Sequence, residues 1–205
     1  MAFIGKKWFS IIAFVSLLLA LGLTILAFFF FGVNEKPISD FKFYSTIAHI
    51  WFWCWGLIGW IAVVTNLNLF AFNLGMTKKR TFIPLNIILL FGAVSILMAL
   101  ISITDGTESF STQRIFHWTF SIASGAILVL ATFFFLLFYK RNRRLQIASI
   151  VAILITFAFS LYSFLSNDPI WNVTASSQIY FFLVCYIILI CVNYIDKGDK
   201  NVYER

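Results

Sequence analysis

Long apolar runs broken by short charged clusters constrain this chain more than any motif in it. From Phe9 to Phe31 there is not one charged residue, and comparable runs recur near 45–70, 83–103, 115–139, 146–166 and 176–195. A bilayer core about 30 Å thick takes about 20 residues of helix to cross. Backbone polar groups in lipid must be satisfied within the segment, so apolar runs of this length form helices rather than open strands. Charged residues make up only 11% of the chain against 61% hydrophobic, at a mean hydropathy of +0.95, so almost nothing is left over for a soluble domain. The expected fold class is therefore all-α, a single transmembrane domain over residues 1–205 with six transmembrane helices.

The first run follows Lys6 and Lys7, as the apolar core of a signal peptide would. It is longer than such a core and carries no A-x-A cleavage site, so it reads as a retained helix. Orientation follows from the basic residues, which stay cytoplasmic. Lys6, Lys7, Lys78, Lys79, Arg80, Lys140, Arg141, Arg143, Arg144, Lys197, Lys200 and Arg205 fall on one side of a six-span map, against Lys36, Lys42 and Arg114 on the other. Twelve against three puts the N-terminus and the C-terminus in the cytoplasm. The opposite side gathers Glu35, Asp40, Asp105, Glu108 and Asp168 with Pro37, Gly106 and Pro169, in loops too short for an extracellular domain. Asn172-Val173-Thr174 matches a glycosylation sequon there. Abundant Phe, Ile and Leu with few Pro suggest an AT-rich genome, so the expected location is a bacterial cytoplasmic membrane, crossed several times, where that sequon goes unused.

The net charge of +7 belongs to loops, and anionic membrane lipids account for it better than nucleic acid, for which there is no binding domain. Cys54, Cys185 and Cys191 lie inside apolar runs without a CxxC or a Cys/His cluster, and read as packing residues. No metal site and no cofactor is assigned.

Helices in lipid have no hydrophobic drive to associate, so small residues at helical spacing mark packed faces. Gly92, Ser95, Ala99 and Ser102 form one such stripe, Ser121, Ser124 and Gly125 below His117 a second, and Ser149, Ala152, Thr156, Ser160 and Ser163 a third. Close packing is the plain explanation, and a polar-lined cavity between the third, fourth and fifth helices is the alternative. The second run crowds Trp51, Trp53, Trp55 and Trp60 with His49, Gly56 and Gly59 toward its outer half. An interfacial aromatic belt accounts for this, while an aromatic wall for an acyl chain or a quaternary ammonium group would use the same residues.

His49 and His117, the two histidines, each open an even-numbered helix at the outer end. Both can be solvated belt residues. If they converge, they offer a proton-linked pair, a metal site completed by Asp105, or axial haem ligation. His49-Ile50-Trp51-Phe52, His117-Trp118-Thr119-Phe120 and Gln178-Ile179-Tyr180-Phe181 hint at a hairpin repeated three times. There is no G-x-S-x-G, H-E-x-x-H, Walker loop or GxGxxG, and no acid lies deep in a span, which counts against ion-driven transport. The amides Asn66, Asn86 and Gln146 sit toward the inner ends.

From Ile87 onward, an apolar helix with small residues runs through Thr104-Asp105-Gly106 into His117, Ser121 and Gly125. This resembles a bacterial six-helix membrane family of unknown function related to the DRAM-like autophagy modulators, whose members often carry a Glu-Arg pair where this chain has Ser177-Gln178. The resemblance implies a topology and no activity. A second similarity, to the androgen-induced membrane hydrolases that use an intramembrane Thr and His on lipid esters, implies Thr46 as nucleophile and His117 as its base.

The function expected from these features is non-enzymatic. A groove open to the outer leaflet, with His49, Trp53, Trp60, His117 and Ser121 as its ligand-binding residues, would take a lipid or a hydrophobic small molecule. The lipid-ester hydrolase is the enzymatic alternative. An accessory subunit of a larger membrane complex, or a homo-oligomer, is the third.

Overall fold

A computed structural model describes residues 3–31, 45–76, 79–101, 112–165 and 175–196. The acidic connections, the sequon and most of the basic residues outside 140–144 lie outside the described residues or have undescribed side chains. Every described element is helical: α1 (Phe3–Phe31), α2 (Thr46–Asn73), α3 (Lys79–Ile101), α4 (Thr112–Phe138), α5 (Arg143–Leu165) and α6 (Ala175–Ile190), which runs into a π-helical turn, Cys191–Ile195. The first five are long and apolar enough to cross a membrane, while the last contributes a shorter apolar stretch, Ile179–Ile195. This is the architecture of a multi-pass membrane protein.

Packing follows chain order. Each helix lies against the next, α6 returns to α1, and α2 also touches α4 and α6, which places α2 at the centre. The pairs run antiparallel. Asn66 reaches Ala13 and Trp55 reaches Thr24 across the α1–α2 interface. Asn68 meets Asn86, and Gly56 meets Leu100, across α2 and α3. Helices α2 and α6 run parallel, with Trp55 against Phe182 and Asn66 against Asn193. Hence the end of α2, the α4–α5 turn and the π turn share one end of the bundle, here called the basic end.

Side-chain size explains the closest pair. Ala13, Ser16, Ala20, Thr24 and Ala27 recur every three or four residues on α1 and all are buried, while Ile12, Leu19 and Phe29 on its other face are exposed. Small residues let two backbones approach where lipid offers no hydrophobic drive, and the exposed apolar face is what hydrocarbon wets. The ends are capped by ordinary means. Ser45 Oγ accepts from the Ala48 amide 3.1 Å away at the start of α2. At its end Gly75 takes φ +72, with Met76 N–H bonded to the Ala71 carbonyl and Gly75 N–H to that of Phe72.

Candidate functional site

The residues expected to bind a ligand sit at the end of the bundle opposite the basic end. Thr46, the first residue of α2, is exposed, as is His49, while Trp53 is half-buried. At 3.6 residues per turn, Thr46, His49, Trp53 and Trp60 project from one face of α2. That face changes character with depth. Trp53 packs against the small cluster of Ala27, Phe52, Trp55, Leu100 and Ile179 but stays partly open, whereas Trp60 is buried.

Trp60 is held by an absence of side chain. A Cβ on Gly92 of α3 would lie 2.2 Å from Trp60 Cζ2 and 3.2 Å from Ile127 Cγ2 of α4, so only glycine leaves room for the six-membered ring between α2, α3 and α4. The small-residue stripe of α3 therefore forms a slot for an indole. Helices α3 and α5 share no packed face of note among the described residues, so this stripe turns to α2 and α4. Trp60 Nε1 is buried and has no hydrogen-bond partner among the described residues.

The other tryptophans of α2 turn toward α1. Trp51 Nε1 donates to the Leu23 carbonyl at 3.2 Å and Trp55 Nε1 to Thr24 Oγ1 at 3.0 Å, and the two indoles stack at 5.9 Å between centroids. An interfacial belt does not describe Trp55 or Trp60. Both rings are buried inside the bundle, Trp55 with its N–H on the Thr24 hydroxyl of α1 and Trp60 in the slot at Gly92.

His117 is half-buried near the start of α4, and its Nδ1 lies 2.7 Å from the Ala99 carbonyl oxygen. A carbonyl only accepts, so Nδ1 carries the hydrogen, and any proton acceptance or ligation by the neutral ring falls to Nε2. Ala99 lies in the last described turn of α3, so His117 ties the start of α4 to that turn. Ser121, one turn below, is half-buried. Leu100, beside Ala99, packs on Gly56 of α2, so the last turn of α3 is gripped by α2 on one side and by His117 on the other. Among the described residues no three His, Cys, Asp or Glu side chains come together as a metal site.

The basic end is built differently, and the sequence hinted at only part of it. Asn66 is fully buried; its amide donates to the Ala13 and Ala62 carbonyls at 2.8 and 2.9 Å, and its Oδ1 accepts from the Tyr194 hydroxyl at 3.0 Å. Asn193 donates to the Asn66 carbonyl at 3.1 Å. Both partners come from the π turn, whose extra residue per turn brings Asn193 and Tyr194 round to α2. Asn68 and Asn86 exchange amide hydrogen bonds at 3.2 and 3.1 Å. Position in the sequence pointed to Asn66 and Asn86, and nothing in the pattern pointed to the π turn.

No family model, curated protein or solved structure matches the chain.

Proposed function

We propose that the protein is a non-enzymatic membrane bundle that takes a lipid, or a small apolar molecule with a polar head, in a cleft at the end opposite the basic loops, the outer leaflet if the positive charges are cytoplasmic. The observation that carries this reading is the buried indole N–H of Trp60, without an acceptor among the described residues, beneath a face of α2 that stays open at His49 and Trp53. A buried donor with no acceptor costs free energy, and a bound carbonyl or ester oxygen removes that cost. From His49 to Trp60 is eleven residues, or roughly 16 Å of helix, about the depth of one leaflet. His49 and the His117–Ser121 turn supply polar groups at headgroup level, and Trp53 supplies an apolar wall.

Native mass spectrometry after extraction in mild detergent tests this. A lipid or apolar molecule should stay on the wild type and be lost from Trp53→Ala and from Trp60→Phe, the latter keeping a ring and removing only the donor. Retention unchanged in both variants overturns the reading. Co-purification of a fixed protein partner would favour the accessory subunit. Turnover of an acyl-ester panel that disappears in Thr46→Ala would favour the hydrolase, for which the Nδ1–H tautomer of His117 leaves a base at Nε2.

A further inference from the structure

The turn between α4 and α5 reads Lys140-Arg141-Asn142-Arg143-Arg144, four cations in five residues. Lys140, Arg143 and Arg144 are exposed and Arg141 is half-buried. Among the described residues the single acid is Asp196, which accepts from the Tyr139 hydroxyl and offsets one of the four positive charges at most. The cations cannot spread apart by loosening the turn. Asn142 Oδ1 caps α5 by accepting from Leu145 N–H at 3.1 Å. Gln146 Nε2 reaches back to the Leu136 and Leu137 carbonyls at 2.5 and 3.2 Å, tying the start of α5 to the end of α4. Arg143 is used structurally, since its Nη1 donates to Gln146 Oε1 at 2.5 Å.

Directly below this fixed cluster the same two helices present bare hydrocarbon. Phe134, Leu137 and Phe138 of α4, and Ile147 and Val151 of α5, are all about half exposed. A concentrated positive charge above an apolar face is the complement of an amphiphile whose head is an anion. A soluble phosphate would use the charges and leave the apolar face idle.

We propose that the α4–α5 turn is a docking surface for an anionic phospholipid of the leaflet at the basic end, its phosphate held by Lys140, Arg141 and Arg144 and its chains lying on α4 and α5. The site is separate from the cleft at the opposite end, and Trp53→Ala leaves it intact.

The wild-type protein is reconstituted in mixed vesicles of phosphatidylcholine and phosphatidylglycerol, with a photoactivatable diazirine on the acyl chain of one lipid or the other. Labelled peptides should map to residues 134–151 with the phosphatidylglycerol probe, at about tenfold or more over the phosphatidylcholine probe, since each basic residue near an anionic surface contributes on the order of a fivefold factor. Lys140→Gln, Arg141→Gln and Arg144→Gln combined should abolish the preference, whereas Lys197→Gln with Lys200→Gln, which removes charge from the tail alone, should leave it. Equal labelling by both probes overturns the proposal, and this arm needs no variant to fold. So does an equal loss in the tail variant, which would mean that net charge and not the turn selects the lipid. Displacement of the label by millimolar inorganic phosphate would mean that a free anion is the occupant, and would likewise overturn it.

Discussion

The two halves of the bundle solve one problem in two ways. Toward the basic end, helices are joined by amides: Asn66 to α1 and the π turn, Asn68 to Asn86, Gln146 to the end of α4. Toward the opposite end no amide joins helices among the described residues. Ring N–H groups of Trp51, Trp55 and His117 supply single bonds, and the close approaches are ones of shape, with Trp60 in the notch at Gly92, Leu100 against Gly56 and the Tyr186 hydroxyl against Gly59. Directional bonds fix register yet contribute modestly in a membrane, where the unfolded helices also find partners. Ring-in-notch packing depends on volume, so it is the less tolerant of substitution. The amide-linked half suits a scaffold, and the half that leans more on fit is the one suited to admit a guest molecule.

Substitutions can break or sharpen this contrast. Trp60→Ala empties the largest interlock and should cost about 3–5 kcal/mol, measured as a fall in the midpoint of denaturant unfolding in micelles. Gly92→Ala places a methyl 2.2 Å from the same ring and should cost about 1–3 kcal/mol. Combining it with Trp60→Phe, which removes the crowding atoms, should recover most of that loss. If Gly92→Ala proves neutral by itself, the notch is not tight and the contrast fails. Asn66→Leu, which removes the bonds to Ala13 and Ala62 and leaves Tyr194 without its acceptor while Asn193 keeps the main-chain carbonyl, should cost about 1–2 kcal/mol. Smallest of all, a double-mutant cycle on Asn68→Ala and Asn86→Ala should give a coupling of about 0.6 kcal/mol. A coupling several times larger would reverse the ranking of the two halves.

The helical spans were legible because charge is excluded from hydrocarbon: each uncharged run between Phe9 and Ile195 became a helix, with ends displaced by a few residues. The π turn that ends the last helix was not legible, since Asn193 and Tyr194 bond to Asn66 on a distant segment. The α1 stripe of Ala13, Ala20, Thr24 and Ala27 was not among the stripes expected to pack, yet it marks the face that receives Trp51 and Trp55. The tryptophans show the limit of local reasoning. Trp is at home in an interface or in a polar-capped core, and only the partner helix decides which. His117 was legible as unusual in position, but its bond to Ala99 depends on how α3 and α4 pack, which its own segment does not encode. His49 is exposed on α2, and if it shares a ligand with His117, His49→Ala and His117→Ala should lower retention of the bound molecule to a similar extent in native mass spectrometry.

Both proposed sites rest on which end of the bundle faces which side of the membrane. Cysteine accessibility in sealed cells measures this most directly, in a background with Cys54, Cys185 and Cys191 replaced by serine or alanine. Single cysteines at Ser109 and Asn167 should react with an impermeant maleimide from outside, and one at Asn142 should react only after the membrane is permeabilised. Labelling at Asn142 in intact cells would contradict the account, because it would place the basic turn outside and the His49–Trp53 cleft in the inner leaflet.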